Sequence, residues 1–143
     1  MKHLFLALSV MAISATGFAQ TAKTAETAVK FKEVTHDFGK IKQNAPVTFD
    51  FVFTNVSDKP VVIEAATASC GCTTPVKPEA PIAKGKTNKI TAGFNAAALG
   101  PFSKNITIKV AGIDMPLDLK ITGEVLNETD YAKYEKEKGA KKG

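Results

Sequence analysis

Four stretches of this chain alternate apolar and polar residues with a period of two. In the first, Val47, Phe49, Phe51 and Phe53 face one way and Thr48, Asp50, Val52 and Thr54 the other. The pattern returns in Ile90, Ala92 and Phe94, in Ile106, Ile108 and Val110, and in Leu117, Leu119 and Ile121. This is the period of half-buried strands, whose successive side chains point to opposite faces. Turn chemistry separates the runs. Asn55 to Pro60 leads into Val61-Val62-Ile63, Ala83 to Lys86 precedes the strand at Ile90, and Gly112-Ile113-Asp114 closes the hairpin to the last run. An earlier strand runs from Val29 to Val34, and Phe38 to Ile41 continue it after a kink. Short strands at this spacing, with no helical period between them, predict an all-β domain over 30–126. The expected form is an immunoglobulin-like antiparallel β-sandwich of about seven strands. There is no Trp, and the two cysteines are too close in sequence to bridge two sheets, so phenylalanine is expected to fill the centre.

The ends of the chain read differently. Met1-Lys2-His3 is basic, Leu4 to Ile13 is apolar, and Gly17 and Ala19 place small residues before Gln20. Residues 1–19 are therefore expected to be a cleaved signal peptide. The apolar run is near 10 residues, where a membrane span needs roughly 20, so no stable membrane insertion is expected. Residues 20–29, made mostly of Thr, Ala, Lys and Glu, read as a flexible leader. Residues 127–143 read as a Lys-rich polar tail that is solvated and mobile. Tyr131 and Tyr134 would share one side of a short helix if one formed there.

Composition narrows the function. The chain has 19 Lys and no Arg, and removing the first 19 residues leaves 18 Lys against 14 acidic residues, a net charge of +4. A nucleic-acid binder draws on Arg for bidentate phosphate and guanine contacts, so no nucleic-acid partner is expected. Lys84, Lys86, Lys89, Lys104 and Lys109 read as ordinary protection of sheet edges.

Three segments together carry a family resemblance: His36-Asp37-Phe38-Gly39-Lys40-Ile41, Phe49 through Asn55, and Ser69-Cys70-Gly71-Cys72-Thr73. With Ile82 to Gly85, Phe94, Phe102 to Ile106 and Leu119 to Val125, they resemble the bacterial domain-of-unknown-function family 1573 over roughly residues 31 to 125. The resemblance implies a secreted immunoglobulin-like sandwich, akin to the sperm-protein and pilus-chaperone type of domain. It implies no enzymatic activity.

The Cys-Gly-Cys holds the only two cysteines, and both sulfurs of an i,i+2 pair in extended chain lie on one face. Gly71 lets the backbone turn, and Pro75 keeps the segment out of a central ladder. Three readings stay open. The pair can be structural, as packing or as a local disulfide. It can be a soft-metal site for Cu(I) or zinc, with His36 and Met115 as further ligands, since these are the sole His and Met after residue 19. It can exchange thiols and disulfides, although oxidoreductase thiols usually sit at a helix N-terminus and no helix is expected after Cys72. No catalytic residue and no resident cofactor are expected. The function expected is a non-enzymatic binding or scaffolding module, exported to the periplasm or beyond and partnered by another envelope protein. A Cu(I)- or zinc-binding or thiol-active protein is the alternative.

Overall fold

The computed structural model describes residues 24–141. The expected signal peptide lies outside the described residues. Eight strands form two four-stranded sheets. In chain order they are β1 (Val29–Phe31), β2 (Thr35–Lys42), β3 (Val47–Asn55), β4 (Ile63–Ala68), β5 (Thr73–Val76), β6 (Thr87–Phe94), β7 (Gly100–Val110) and β8 (Leu117–Leu126), followed by helix α1 (Glu128–Ala140). One sheet has the order β1-β3-β6-β5 and the other β2-β8-β7-β4. The fold is the expected immunoglobulin-like sandwich, with eight strands where about seven were expected. β2 is a strand separate from β1 rather than its continuation, and β5, which lies immediately after the Cys-Gly-Cys and contains Pro75, is a strand the alternation did not indicate. Pro75 is tolerated there because β5 is an edge strand, paired only with β6.

Inward-facing residues of both sheets build the core. Phe51, Phe53, Ile63, Ile90, Ile106, Ile108, Leu119 and Ile121 are fully buried. The expectation of a phenylalanine-filled centre is thus corrected, since five of these residues are isoleucine and two are phenylalanine. Phe38, Phe49 and Phe102 are only half-buried and pack against its margin. Among these side chains, Phe94 stacks on Phe102 with ring centroids 4.0 Å apart.

The expectation of purely antiparallel pairing is corrected at β2, which runs parallel to β8, from Thr35 opposite Lys120 to Lys42 opposite Leu126. The cause is a change of sheet. The segment pairs first with β3, Phe31 lying opposite Phe53, and crosses to the other sheet before Thr35 without reversing direction. The kink lies further on, where the register shifts between Asp37 and Lys40. Gly39 adopts φ 65° there, and its N–H donates to the Asp37 carboxylate at 2.9 Å. Opposite this bulge a Cβ on Gly123 would lie 2.8 Å from both the Gly39 carbonyl oxygen and the Phe102 ring, so only glycine fits.

The flexible leader is corrected from Thr24 onward. A 3-10 turn over Ala25–Thr27 buries Ala25, and Ala28 and Val29 follow it into the core. The Ala25 N–H donates to the Met115 carbonyl at 3.2 Å, which ties this segment to the β7–β8 hairpin. At the other end, part of the tail expected to be mobile is helix α1. Asn127 caps it by accepting from the Asp130 N–H at 2.9 Å. No residue of α1 is buried, and Lys42 reaches Glu128 at 2.7 Å. Among the described residues no helix is long and apolar enough to cross a membrane.

Candidate functional site

The Cys-Gly-Cys lies where the chain leaves β4 in one sheet and enters β5 in the other. Cys70 and Cys72 form a disulfide with Cα atoms 5.4 Å apart. Hydrogen bonds that do not involve sulfur pin both ends of the crossover. The Ser69 N–H donates to the Asn105 carbonyl at 3.0 Å, and the Asn105 N–H returns to Ser69 Oγ at 3.2 Å. On the far side, the Asn95 N–H donates to the Cys72 carbonyl at 3.0 Å, and the Thr73 N–H to the Cys70 carbonyl at 3.3 Å. Both cysteines are half-buried and Gly71 is exposed. Cys72 packs against the hydrophobic core. The hydroxyl of buried Thr73 sits 3.8 Å from Cys70 Sγ and 3.9 Å from Cys72 Sγ.

The structure does not gather the other two expected ligands here. His36 is on β2 and Cys70 follows β4, at opposite edges of one sheet. Three strand spacings separate those edges, roughly 14 Å. The His36 ring instead stacks on Phe49 at 3.5 Å and meets Phe38 edge-on at 4.7 Å. Met115 sits in the β7–β8 hairpin, beyond Val110, whereas Ser69 is bonded to Asn105. That is about five residues along β7, roughly 17 Å. The four residues thus occupy three places. Among the described residues no three His, Cys, Asp or Glu side chains cluster in a way that could hold a metal ion. In the disulfide the two sulfurs offer no thiolate to a soft metal.

A second feature went unseen in the sequence. The β3–β4 turn and the β7–β8 hairpin meet at one end of the sandwich and enclose a cleft of about 690 Å³. Ala28, Val56, Pro60, Val61, Val110 and Ile113 form apolar walls, with Ser57, Asp58 and Lys59 among its polar lining. Val56 is 50% exposed beside it. The turn rests on Asn55, which is 1% exposed. Its amide NH₂ donates to the Lys59 and Ile82 carbonyls, both at 2.8 Å, and its Oδ1 accepts from the Ser57 N–H and hydroxyl, also at 2.8 Å. The sequence signal was the Asn-Val-Ser-Asp-Lys-Pro turn itself, an Asx-type turn with an apolar residue inside it. What alternation could not reveal was the loop facing it.

The carboxyl of Asp50 is held below its ordinary range first by the Lys89 hydrogen bond, then by that of Thr91. The carboxyl of Glu128 is lowered by its hydrogen bond to Lys42. Both are surface pairs remote from the crossover and the cleft.

Two packed four-stranded sheets, with the chain crossing between them at each side, define an immunoglobulin-like sandwich. The chain belongs to the family described as "Protein of unknown function (DUF1573)", whose model matches residues 29–125. Among solved structures it is similar to the ASH/PapD-like domain 7 of human CEP192, with a TM-score of 0.59 and 9% identity over 88% of this chain and 99% of that one. A protein of unknown function from Porphyromonas gingivalis matches with a TM-score of 0.57 and 13% identity over 68% of this chain and 46% of that one. The VesB protease of Vibrio cholerae matches with a TM-score of 0.53 and 12% identity over 68% of this chain. This chain covers 32% of that protease, and so spans less than half the length of either bacterial protein. At these identities the likeness is one of fold. No curated protein matches the sequence.

Proposed function

We propose that the protein is an exported, non-enzymatic module of the bacterial envelope that binds another envelope protein. The cleft between the β3–β4 turn and the β7–β8 hairpin carries this reading. Its volume of about 690 Å³ is that of a ligand pocket, its walls are apolar, and its polar groups are few. A cleft of this kind accepts an apolar anchor side chain from a partner, while Asp58 and Lys59 serve as a polar rim. The basic, apolar and small-residue order of residues 1–19 supports export. A soft-metal role for Cys70 and Cys72 needs both thiolates free and ligands other than His36 and Met115, so it ranks second.

Site-specific photo-crosslinking in envelope preparations tests the binding reading. A crosslinker at Val56 is expected to trap one discrete partner, and the same probe at Lys109, on β7 outside the cleft, is expected to trap none. Ala111→Arg, which fills the cleft mouth, is expected to abolish the Val56 product. Equal products from both positions, or a Val56 product indifferent to Ala111→Arg, would sink the proposal.

A further inference from the structure

We infer that the Cys70–Cys72 disulfide is a thiol–disulfide exchange site, which takes two electrons from a dithiol protein and passes them on to a disulfide oxidant, reclosing while the sandwich stays folded. The fold has little need of the bond as a staple. Closing a loop of three residues restricts the unfolded chain only slightly, so the bond adds little stability. The crossover is held independently, by the Ser69–Asn105 pair on one side and the Asn95-to-Cys72 hydrogen bond on the other. Reduction therefore leaves both cysteines fixed at ends that do not move. Reclosure begins when one cysteine thiolate attacks the disulfide oxidant and expels one of its thiolates, and the neighbouring cysteine then displaces the oxidant's other sulfur in an intramolecular step of high effective concentration.

Access and asymmetry indicate the order of events. Gly71 is exposed, and a Cβ placed on it would meet nothing within 4 Å, so the turn faces open space. Cys72 packs against the core whereas Cys70 does not, which makes Cys70 the sulfur assigned to incoming attack. In the first step a thiolate of the donor attacks Cys70 Sγ. The sulfur–sulfur bond breaks, and its electron pair leaves on Cys72 Sγ as a thiolate. The Thr73 hydroxyl lies 3.8 Å from Cys70 Sγ and 3.9 Å from Cys72 Sγ, so it can donate a hydrogen bond to whichever sulfur leaves as the thiolate. In the second step the donor's other thiolate attacks the donor sulfur of the mixed disulfide and releases Cys70 as a thiolate. The donor ends as a disulfide and the pair as two thiols, with two protons passing from donor to pair through solvent. Thr73 is a positioning residue in this scheme.

The inference is independent of any partner in the cleft, and the test uses the folded full chain with dithiothreitol as the dithiol probe. Reduction, followed by alkylation and intact mass, is expected to be complete within minutes at neutral pH without denaturant. Amide resonances are expected to shift around residues 69–73, 95 and 105, with the remaining spectrum unchanged. Oxidised glutathione is expected to restore the internal bond at a rate independent of protein concentration. Thr73→Val is expected to slow reduction several-fold with the thermal midpoint unchanged. The inference is overturned if the bond resists reduction until the protein unfolds, if reduction melts the sandwich, or if reoxidation yields stable glutathione adducts or crosslinked dimers. It is equally overturned if Thr73→Val reacts at the wild-type rate.

Discussion

At the scale of single residues, the side chain with most at stake is the polar one in the core. Asn55 uses both amide hydrogens and its carbonyl oxygen, while its backbone N–H donates to the Lys86 carbonyl at 2.9 Å and its backbone carbonyl accepts from the Gly85 N–H at 2.9 Å. Truncation leaves the Ser57 N–H without its acceptor and opens a gap under the turn. Asn55→Ala is expected to lower stability by about 2–3 kcal/mol, read as a shift in the denaturation midpoint at constant m-value. Asn55→Asp is expected to be worse at neutral pH, because a carboxylate would face two carbonyl oxygens. Asp50 gives a pH signature. Its folded pKa lies below the unfolded value of 3.8, so its ion pair with Lys89 contributes above that value and is lost as pH falls through the folded one. Wild type is expected to exceed Asp50→Asn in stability near neutral pH. The gap should close as pH falls from about 5 to below 3.8 and shrink in high salt, as denaturation midpoints across a pH series would show.

Elements show where local pattern and tertiary context part company. The alternation of β3, β6, β7 and β8 was legible because one face of each is buried and the other is wet. β5 carries no alternation that survives four residues, and its Pro75 reads as a breaker. It becomes a strand because β6 offers it a free edge. β2 looked like a continuation of β1, yet the two lie in different sheets, and no residue property encodes which sheet a crossing segment will join. Helix α1 is the opposite case. Its Asn127 cap and its charged residues satisfy local rules, but it buries nothing and touches the sandwich mainly through Lys42 and through Lys40, whose ammonium lies 5.4 Å from the Tyr134 ring. Such surface contacts add little to stability. Deleting residues 128–143 is accordingly expected to move the thermal midpoint by no more than about 2 °C, measurable by calorimetry or circular dichroism. A larger loss would mean that α1 shields the outer edge of β2.

Taken whole, the molecule is a sandwich whose two open sides are each closed by chain crossing between sheets. One side is closed by the passage from β1 to β2 and the other by the Cys70–Cys72 crossover. The cleft lies at the end where Thr24 to Ala28, the β3–β4 turn and the β7–β8 hairpin converge. By itself the sequence determined the β class, the core face of the long strands, the turn positions and the prominence of the Cys-Gly-Cys, since period-two burial and turn chemistry are local properties of neighbouring residues. Only the tertiary structure decided the rest. It separated His36 and Met115 from the cysteines, because strand order sets which side chains share a neighbourhood. It joined Val56 to Ile113 across one end, and it pinned Cys70 and Cys72 between Asn105 and Asn95 at a passage between sheets. These are long-range pairings, and their energies come from partners more than 20 residues away.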